Sequence, residues 1–377
     1  MVLPLQGVVV LEFSQYLSGP SAGLRLADLG ARVIKIERPE GGDPSRKLAI
    51  KNLWIGDDAL NFHTINRNKE SFTANLKDKD DFELVKKLIQ KADVITHNFR
   101  PGVMERMGLS YEDVKKINEK IIYAEITGYG KEGPWSMKPG QDLLIQSISG
   151  LTYTTGNSDD DPMPFGLSVI DSICGIHAVQ GILAALISRQ KTGKGAYVEL
   201  SLLESAIALQ FELFTTWFLD NNSVKRSKVS NGNPLLGAPY GIYETKDGYI
   251  ALAMMNIQTL RRALECAELD QFDQGDVFQK RDEIKAIIRD VLKHHTTDHW
   301  LSLLHKHHLW AAEVKDWKQL SQHEGYKVLG MEQEIRLQDH SIITTRCPIR
   351  IDGEKLYVNK PAPALGKDTE KIKNELA

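Results

Sequence analysis

The chain predicts a doubly wound, mainly parallel α/β sheet, on three observations. Short apolar runs alternate with longer amphipathic ones through residues 1–130. The short runs are apolar almost throughout, as strands covered on both faces must be. Turns carrying Gly, Pro or Asp separate the two kinds of segment, and strand–helix alternation of this sort builds a parallel sheet.

The elements follow in order. Val8-Val-Val-Leu-Glu-Phe13 reads as a buried strand. Ser18-Gly-Pro-Ser-Ala-Gly23 reads as a tight turn entering a helix that ends at Gly30, and Val33-Ile-Lys-Ile-Glu37 as the next strand. Residues 81–91 are amphipathic, and 93–96 and 121–126 supply two further strands. Ligands of such sheets sit beyond the carboxyl ends of the strands, so the loops after Phe13, Glu37, Thr96 and Ile126 are the candidates for function. A helix over 171–190 leads to a strand over 196–201 and a helix over 202–219. The Asn- and Ser-rich stretch 220–233 reads as a crossing between domains. Beyond it, 240–253 forms a hairpin with its turn at Asp247-Gly248, helices fill 257–306, and 347–353 is a strand and turn in an extended tail.

With 377 residues, 42% hydrophobic and 26% charged, the composition is that of a globular protein of two or three domains. A net charge of -3 gives no general attraction to nucleic acid. No signal peptide opens the chain, and no uninterrupted apolar run reaches the ~18 residues of a membrane span. Cys174, Cys266 and Cys347 are scattered and odd in number, which suggests reduced thiols in a cytoplasmic protein.

The turn at 18–23 is not Gly-x-Gly-x-x-Gly, and Pro20 stands where backbone should approach a pyrophosphate, so nicotinamide or flavin binding is not expected. The helix that follows can still favour a phosphate through its dipole. Arg38, Arg46, Arg67, Lys69, Lys77, Arg100 and Arg106 recur near the candidate loops. Scattered surface charge explains most of them. Asn98-Phe-Arg-Pro-Gly102, however, follows a strand directly and combines an amide, an aromatic and a guanidinium suited to a nucleotide. The histidines of 294–308 match no metal-ligand spacing, and no metal is expected.

Asp171 is the most informative residue. It opens a helix of small and apolar residues, and is either a helix cap or a carboxylate held out of water for chemistry. Gly175, Ala178, Gly181 and Ala185 follow at helical spacing; that ridge admits a ligand or another backbone equally well.

Pro4-Leu-Gln-Gly-Val, Ser18-Gly-Pro, the run 26–39, Gly42-Asp43, Asn68-Lys69, Asn98-Phe-Arg-Pro-Gly102, Gly128-Tyr-Gly, Gly140-Gln-Asp142, 146–150, Asp171, Gly181-Ile-Leu-Ala-Ala-Leu, Thr192-Gly-Lys-Gly and 361–369 occur in one order. Together they resemble the class III CoA-transferases, the formyl-CoA and carnitine type, whose structural relatives are the α-methylacyl-CoA racemases. The resemblance implies a large Rossmann-like CoA-binding domain (1–219), a smaller α+β domain with linkers (220–325) and a C-terminal segment returning to the first (326–377). It also implies an interlocked homodimer.

By the same resemblance Asp171 is the nucleophile. Tyr16, Leu17, Ser18, Arg38, Ala74, Asn75, Lys77, Asn98, Phe99, Arg100, Arg106 and Met107 contact CoA, and Gln141 and Asp142 stand beside the reacting centre. Coenzyme A is then a substrate and no prosthetic group is implied; the other partner is a carboxylic acid, and neither nucleic acid nor membrane is involved. Leu17 replaces a glutamine of the formyl-CoA enzymes, and their glycine-rich active-site loop has only 231–237 as its nearest counterpart. Both differences count against formate or oxalate specificity. Racemases carry a histidine where this chain has Gln141, and an amide cannot accept and return an α-proton. The implied activity is therefore transfer of CoA through an aspartyl anhydride and an aspartyl-CoA thioester; the alternatives are a racemase and a CoA-binding protein without turnover.

Overall fold

The computed structural model of the chain describes residues 3–222, 225–337 and 340–377. It divides into two compact units, Met1–Ile145 with Ser168–Leu209 and Val328–Ala377, and Gln146–Leu167 with Gln210–Lys327.

The first unit contains β1 (Val9–Glu12), α1 (Ser18–Asp28), β2 (Arg32–Glu37), α2 (Leu60–Asn66), β3 (Lys69–Thr73), α3 (Lys79–Lys91), β4 (Val94–His97), α4 (Tyr111–Ile117) and β5 (Ile122–Thr127). After these come α5 (Asp142–Ile148), α6 (Val169–Thr192), β6 (Ala196–Ser201) and α7 (Leu202–Leu209). The strands form one six-stranded sheet in the order β3-β2-β1-β4-β5-β6, and every pairing is parallel. The order turns back between β1 and β4, which opens a crevice at their carboxyl ends.

Strand alternation builds two cores. Val10, Val33, Val94, Ile122 and Ala124 meet Leu26 and Ala27 of α1 and Ile182, Ala185 and Leu186 of α6. Leu11, Ile34, Ile36, Phe72, Ile95 and Tyr123 face the other way, onto Val85, Leu88 and Ile89 of α3 and Val114 of α4. By length and composition α6 could cross a membrane; its Ile170, Cys174, Ala178 and Ile182 are buried in this unit. β3 is absent from the sequence reading, because Lys69-Glu-Ser-Phe-Thr73 has a single large apolar residue. Its membership rests on pairing, Val33 opposite Lys69 and Ile36 opposite Phe72.

The second unit holds α8 (Phe211–Asp220), β7 (Gly241–Glu244), β8 (Tyr249–Leu252), α9 (Ile257–Leu264), α10 (Arg281–Leu292), α11 (Thr297–Lys306) and β9 (Ala311–Glu313). Its antiparallel sheet, β9-β8-β7, packs Tyr243, Ile250 and Leu252 against Leu260, Ile284, Ile288, Trp300 and Leu304 of the helices. The hairpin turns at Asp247-Gly248, closed by Thr245 N–H donating to the Gly248 carbonyl at 2.9 Å.

Two expectations need correction here. The helix over 202–219 is broken at Gln210 into α7 and α8. Gln210 donates its amide to the Ser149 carbonyl at 3.2 Å, while apolar periodicity runs through the break without marking it. Residues 146–167 and 210–219 also group with the second unit and not with 1–145. The loop's polar groups explain this: Arg226 donates to the carbonyls of Thr155 and Asp160, Asn231 to Thr154, and Ser158 N–H to Ser227.

The tail adds the hairpin β10 (Glu332–Arg336) and β11 (Ser341–Thr345), a short hairpin of β12 (Arg350–Ile351) and β13 (Glu354–Lys355) in which 347–353 supplies the expected strand and turn, and α12 (Thr369–Leu376). It covers the open edge of β3: Ser71 N–H donates to Asp368 at 2.9 Å and Thr73 N–H to Thr369 at 3.0 Å. Unpaired edges invite association, so this cover protects the sheet.

Close approach is also built in at Gly195, where a Cβ would lie 2.0 Å from the Ile121 carbonyl oxygen. Backbone cannot yield as a side chain does, so Gly195→Ala should lower unfolding free energy by about 1–3 kcal/mol. Urea titration of the variant checks this; an unchanged midpoint would refute it.

Candidate active site

The side chain of Asp171 stands on the first turn of α6 but does not cap it. Ser168 occupies the cap position and makes no side-chain cap bond. Instead Asp142, at the start of α5, accepts from the N–H of Ile170 at 2.8 Å and of Asp171 at 2.9 Å with one oxygen. The free N–H groups of a helix start are thereby satisfied by a carboxylate from elsewhere in the chain, which leaves the Asp171 carboxylate with no hydrogen bond among the described residues. That leaves the helix-cap reading of Asp171 without support.

Burial pushes the Asp171 carboxyl up to about 7, and the neighbouring charge of Asp142 adds to the rise. A helix N-terminus favours a carboxylate by 0.3–1 kcal/mol or so; desolvation outweighs it here. The wall beside Asp171 is close-packed. A Cβ on Gly175, one turn further on, would lie 2.3 Å from Ser21 Oγ and 2.9 Å from the Ser18 carbonyl oxygen of α1. A Cβ on Gly181 would lie 2.7 Å from Val198 of β6. The small-residue ridge of α6 therefore serves helix and sheet packing. Cys174, on the same face, is buried, and burial pushes its thiol up.

The other sequence-selected residues line the carboxyl edge of four adjacent strands. Tyr16, Leu17 and Ser18 follow β1, Arg38 follows β2, Ala74, Asn75 and Lys77 follow β3, and Asn98, Phe99 and Arg100 follow β4. Ala74 and Asn98 are three strand spacings apart, roughly 14 Å, so the set suits a long ligand and not a compact one. Asn98 ties the crevice together, accepting from Gln15 N–H and donating to the Gln15 carbonyl, each at 2.7 Å. Phe99 stacks on His97 with ring centroids 6.1 Å apart. Met107 packs against the α3 side of the core. Asn75 accepts from Lys77 N–H at 3.2 Å. Gln141 is exposed beside Asp142.

The basic residues separate into two groups. Arg38, Lys77, Arg100 and Arg106 are exposed, and among the described residues none has an acidic partner. Uncompensated cations around one edge suit phosphate groups. Arg46, Arg67 and Lys69 are instead fully buried, against their reading as scattered surface charge. Arg67 pairs with Asp28 and Arg46 with Glu37. Lys69 joins Glu12 and Lys35 beneath the loop of Tyr16. Burial lowers Lys69 to about 8, with Glu12 opposing and Lys35 reinforcing the shift. For Lys35, Glu12 and Asp43 together outweigh burial and raise it. Sequence reasoning missed this cluster as a unit, although a charge inside Val33-Ile-Lys-Ile-Glu37 was a signal of it.

A parallel sheet in Rossmann order with a desolvated carboxylate and a cationic edge defines an α/β enzyme for a long anionic substrate. Residues 5–369 match the model of CoA-transferase family III. The chain is 31% identical over 383 residues to the succinyl-CoA:glutarate CoA-transferase of Homo sapiens, covering 100% of this chain and 86% of that one. It is 34% identical over 311 residues to the acetyl-CoA:oxalate CoA-transferase of Acetobacter aceti, covering 80% and 78%. A CAIB/BAIF family protein from Brucella suis has a similar structure, with TM-score 0.87, 30% identity and complete coverage of both chains. The chain belongs to CoA-transferase family III. It is an enzyme that transfers CoA between an acyl-CoA and a carboxylate.

Asp142→Ala should lower stability by about 0.5–2 kcal/mol through loss of the cap. Asp142→Asn should lose less, and should move the Asp171 titration downward because it removes only the charge. Carboxyl NMR titration of the asparagine variant checks the second point; an unmoved midpoint would refute the electrostatic coupling.

Proposed function

We propose that Asp171 is the nucleophile, and that CoA moves from an acyl-CoA donor to a short-chain or dicarboxylic acid through covalent aspartyl intermediates. The observation that carries this reading is the free, desolvated Asp171 carboxylate on a helix capped by Asp142.

In the first step a carboxylate oxygen of Asp171 attacks the thioester carbon. The C–S bond breaks, CoA leaves as thiolate, and a mixed anhydride forms. The thiolate then attacks the aspartyl carbonyl carbon, expelling the donor acid as its carboxylate and leaving an aspartyl-CoA thioester. The acceptor carboxylate attacks that thioester and releases thiolate again. Attack of the thiolate on the acceptor's acyl carbon gives the new acyl-CoA and restores Asp171. Electron pairs balance without ATP, since one thioester replaces another. Anhydrides hydrolyse, so the close packing of α1 against α6 at Gly175 has a chemical use in excluding water.

Tyr16 to Ser18, Arg38, Ala74, Asn75, Lys77, Asn98 to Arg100, Arg106 and Met107 hold CoA in this reading. Their four exposed cations face its phosphates, and the Ser18 and Gly19 N–H groups at the start of α1 add a positive dipole end. Gln141 offers no acid–base function, which disfavours a racemase.

Asp171→Ala should abolish exchange while CoA still binds, and hydroxylamine should trap an aspartyl hydroxamate from the native enzyme incubated with acyl-CoA. Only the ionised carboxylate attacks, so kcat/KM, which follows the ligand-free enzyme, should fall as pH drops through about 7. Turnover by the alanine variant, or a kcat/KM flat across that range, would overturn the assignment.

The reading extends to a homodimer. Phe211, Phe218 and Leu219 are 65%, 72% and 88% exposed along α8, apolar surface that a second copy would cover. Sedimentation equilibrium should return twice the 42.3 kDa chain mass; a monomer at micromolar concentration would refute it.

A further inference from the structure

Three main-chain groups, two in the β1–α1 connection and one in the first turn of α1, are held by buried charge. Lys35 Nζ donates to the Ser14 carbonyl at 2.8 Å. Asp43 Oδ1 accepts from Tyr16 N–H at 3.2 Å. Lys69 Nζ donates to the Pro20 carbonyl at 2.8 Å. These anchors bracket Tyr16, Leu17 and Ser18. They are joined to one another through Glu12, which receives Lys35 at 3.0 Å on Oε1 and Lys69 at 2.9 Å on each oxygen. Lys35 also pairs with Asp43 Oδ2 at 2.8 Å, and Lys69 donates to Asn66 at 2.9 Å. Glu12, Lys35, Asp43 and Lys69 are each at most 1% exposed.

Such a cluster is a poor way to gain stability, because desolvating the ions consumes most of their attraction and an apolar replacement is often neutral. What it supplies is direction. Tyr16 has φ 62°, a conformation disfavoured for a residue with a Cβ, which persists only where the surroundings over-determine it. The residues above are shaped to the cluster too: a Cβ on Gly23 would fall 1.7 Å from Glu12 Oε2 and 3.3 Å from Lys69 Nζ.

We propose that Lys69 and Lys35, through Glu12 and Asp43, are positioning residues that hold the Tyr16–Ser18 segment in its CoA-binding shape. They act on affinity for the CoA end of the substrate and not on the reaction at Asp171. The proposal rests on the reading that this segment binds CoA.

Lys69→Met removes one anchor and leaves Glu12 with Lys35 as its remaining cation, so the double variant Glu12→Gln/Lys69→Met, which deletes both charges, is measured beside it. In the double variant KM for acyl-CoA and Kd for CoA by calorimetry should rise about tenfold or more, with kcat at saturation within about threefold of the native value. In ligand-free protein the amides of residues 15–19 should exchange faster, while those of β1 and β2 stay protected. A folded double variant with native KM and Kd would overturn the proposal, as would a fall in kcat with KM unchanged. Failure of the double variant to fold would overturn it as well, since the cluster would then be holding the domain and not the loop. If native protein does not bind CoA, the functional reading falls, and the exchange measurement still decides whether the cluster positions the segment.

Discussion

The start of α6 depends on which of two carboxylates caps it, and the proposed chemistry depends on the same choice. Asp142 satisfies the first N–H groups of α6, so Asp171 on the same turn is not spent on them. A carboxylate tied into a cap is stabilised as an anion and attacks poorly. Without that bond, burial and the adjacent negative charge raise Asp171 from 3.8 to about 7, a penalty on the ionised form of roughly 4 kcal/mol. The penalty is also a linkage statement. The folded-state value lies above that of the unfolded chain, so the neutral acid favours the fold and stability from this group is lost as pH rises from about 4 to 7. Above pH 7 the native protein holds an anion that the unfolded chain would hold more comfortably, the condition expected of a reactive group.

On the other side of α1 the same fold buries charge for a different purpose. Glu12, Lys35, Asp43 and Lys69 satisfy one another and three main-chain groups, two in the loop after β1 and one in the first turn of α1. α1 thus meets α6 at Gly175, where a Cβ would strike Ser21 and the Ser18 carbonyl, and the sheet at Gly23, where a Cβ would strike Glu12. A Cβ on Gly19 would strike the Ser14 side chain. The glycines of α1 that superficially suggest a dinucleotide turn are there for close approach to β1 and to Ser14 just after it.

The parallel sheet was legible because β1, β2, β4 and β5 are buried along nearly their whole length and carry mainly apolar residues, and β6 was legible by its place between two helices. β3 was not legible, since its polar residues are satisfied by the tail and by the buried cluster, contacts separated by up to 297 residues. The break at Gln210 and the transfer of 146–167 to the second unit were hidden for the same reason. Each depends on side-chain hydrogen bonds to distant backbone, and no local periodicity encodes them. At the site, Asp171 stood out through its setting, and the resemblance to the class III family carried the loop residues. The burial of Arg46, Arg67 and Lys69 needed coordinates, because a cation after a strand looks alike whether it faces solvent or a carboxylate.

The division of labour in the site bears on substrate choice. The Asn98–Gln15 clasp and three of the four exposed cations, Arg38, Lys77 and Arg100, follow strands of the sheet. In the proposed reading the acid to be activated meets the neighbourhood of Asp171. Overall similarity therefore cannot select it: relatives 31% and 34% identical to this chain bear the names of a glutarate and an oxalate enzyme. In the proposed reading a change of acid specificity needs substitutions near Asp171 alone, whereas loss of the CoA-binding edge would remove every activity at once. Leu17, at the cap position of α1 between the clasp and the packed face of α6, is a position where this chain departs from the formyl-CoA enzymes without disturbing either structure.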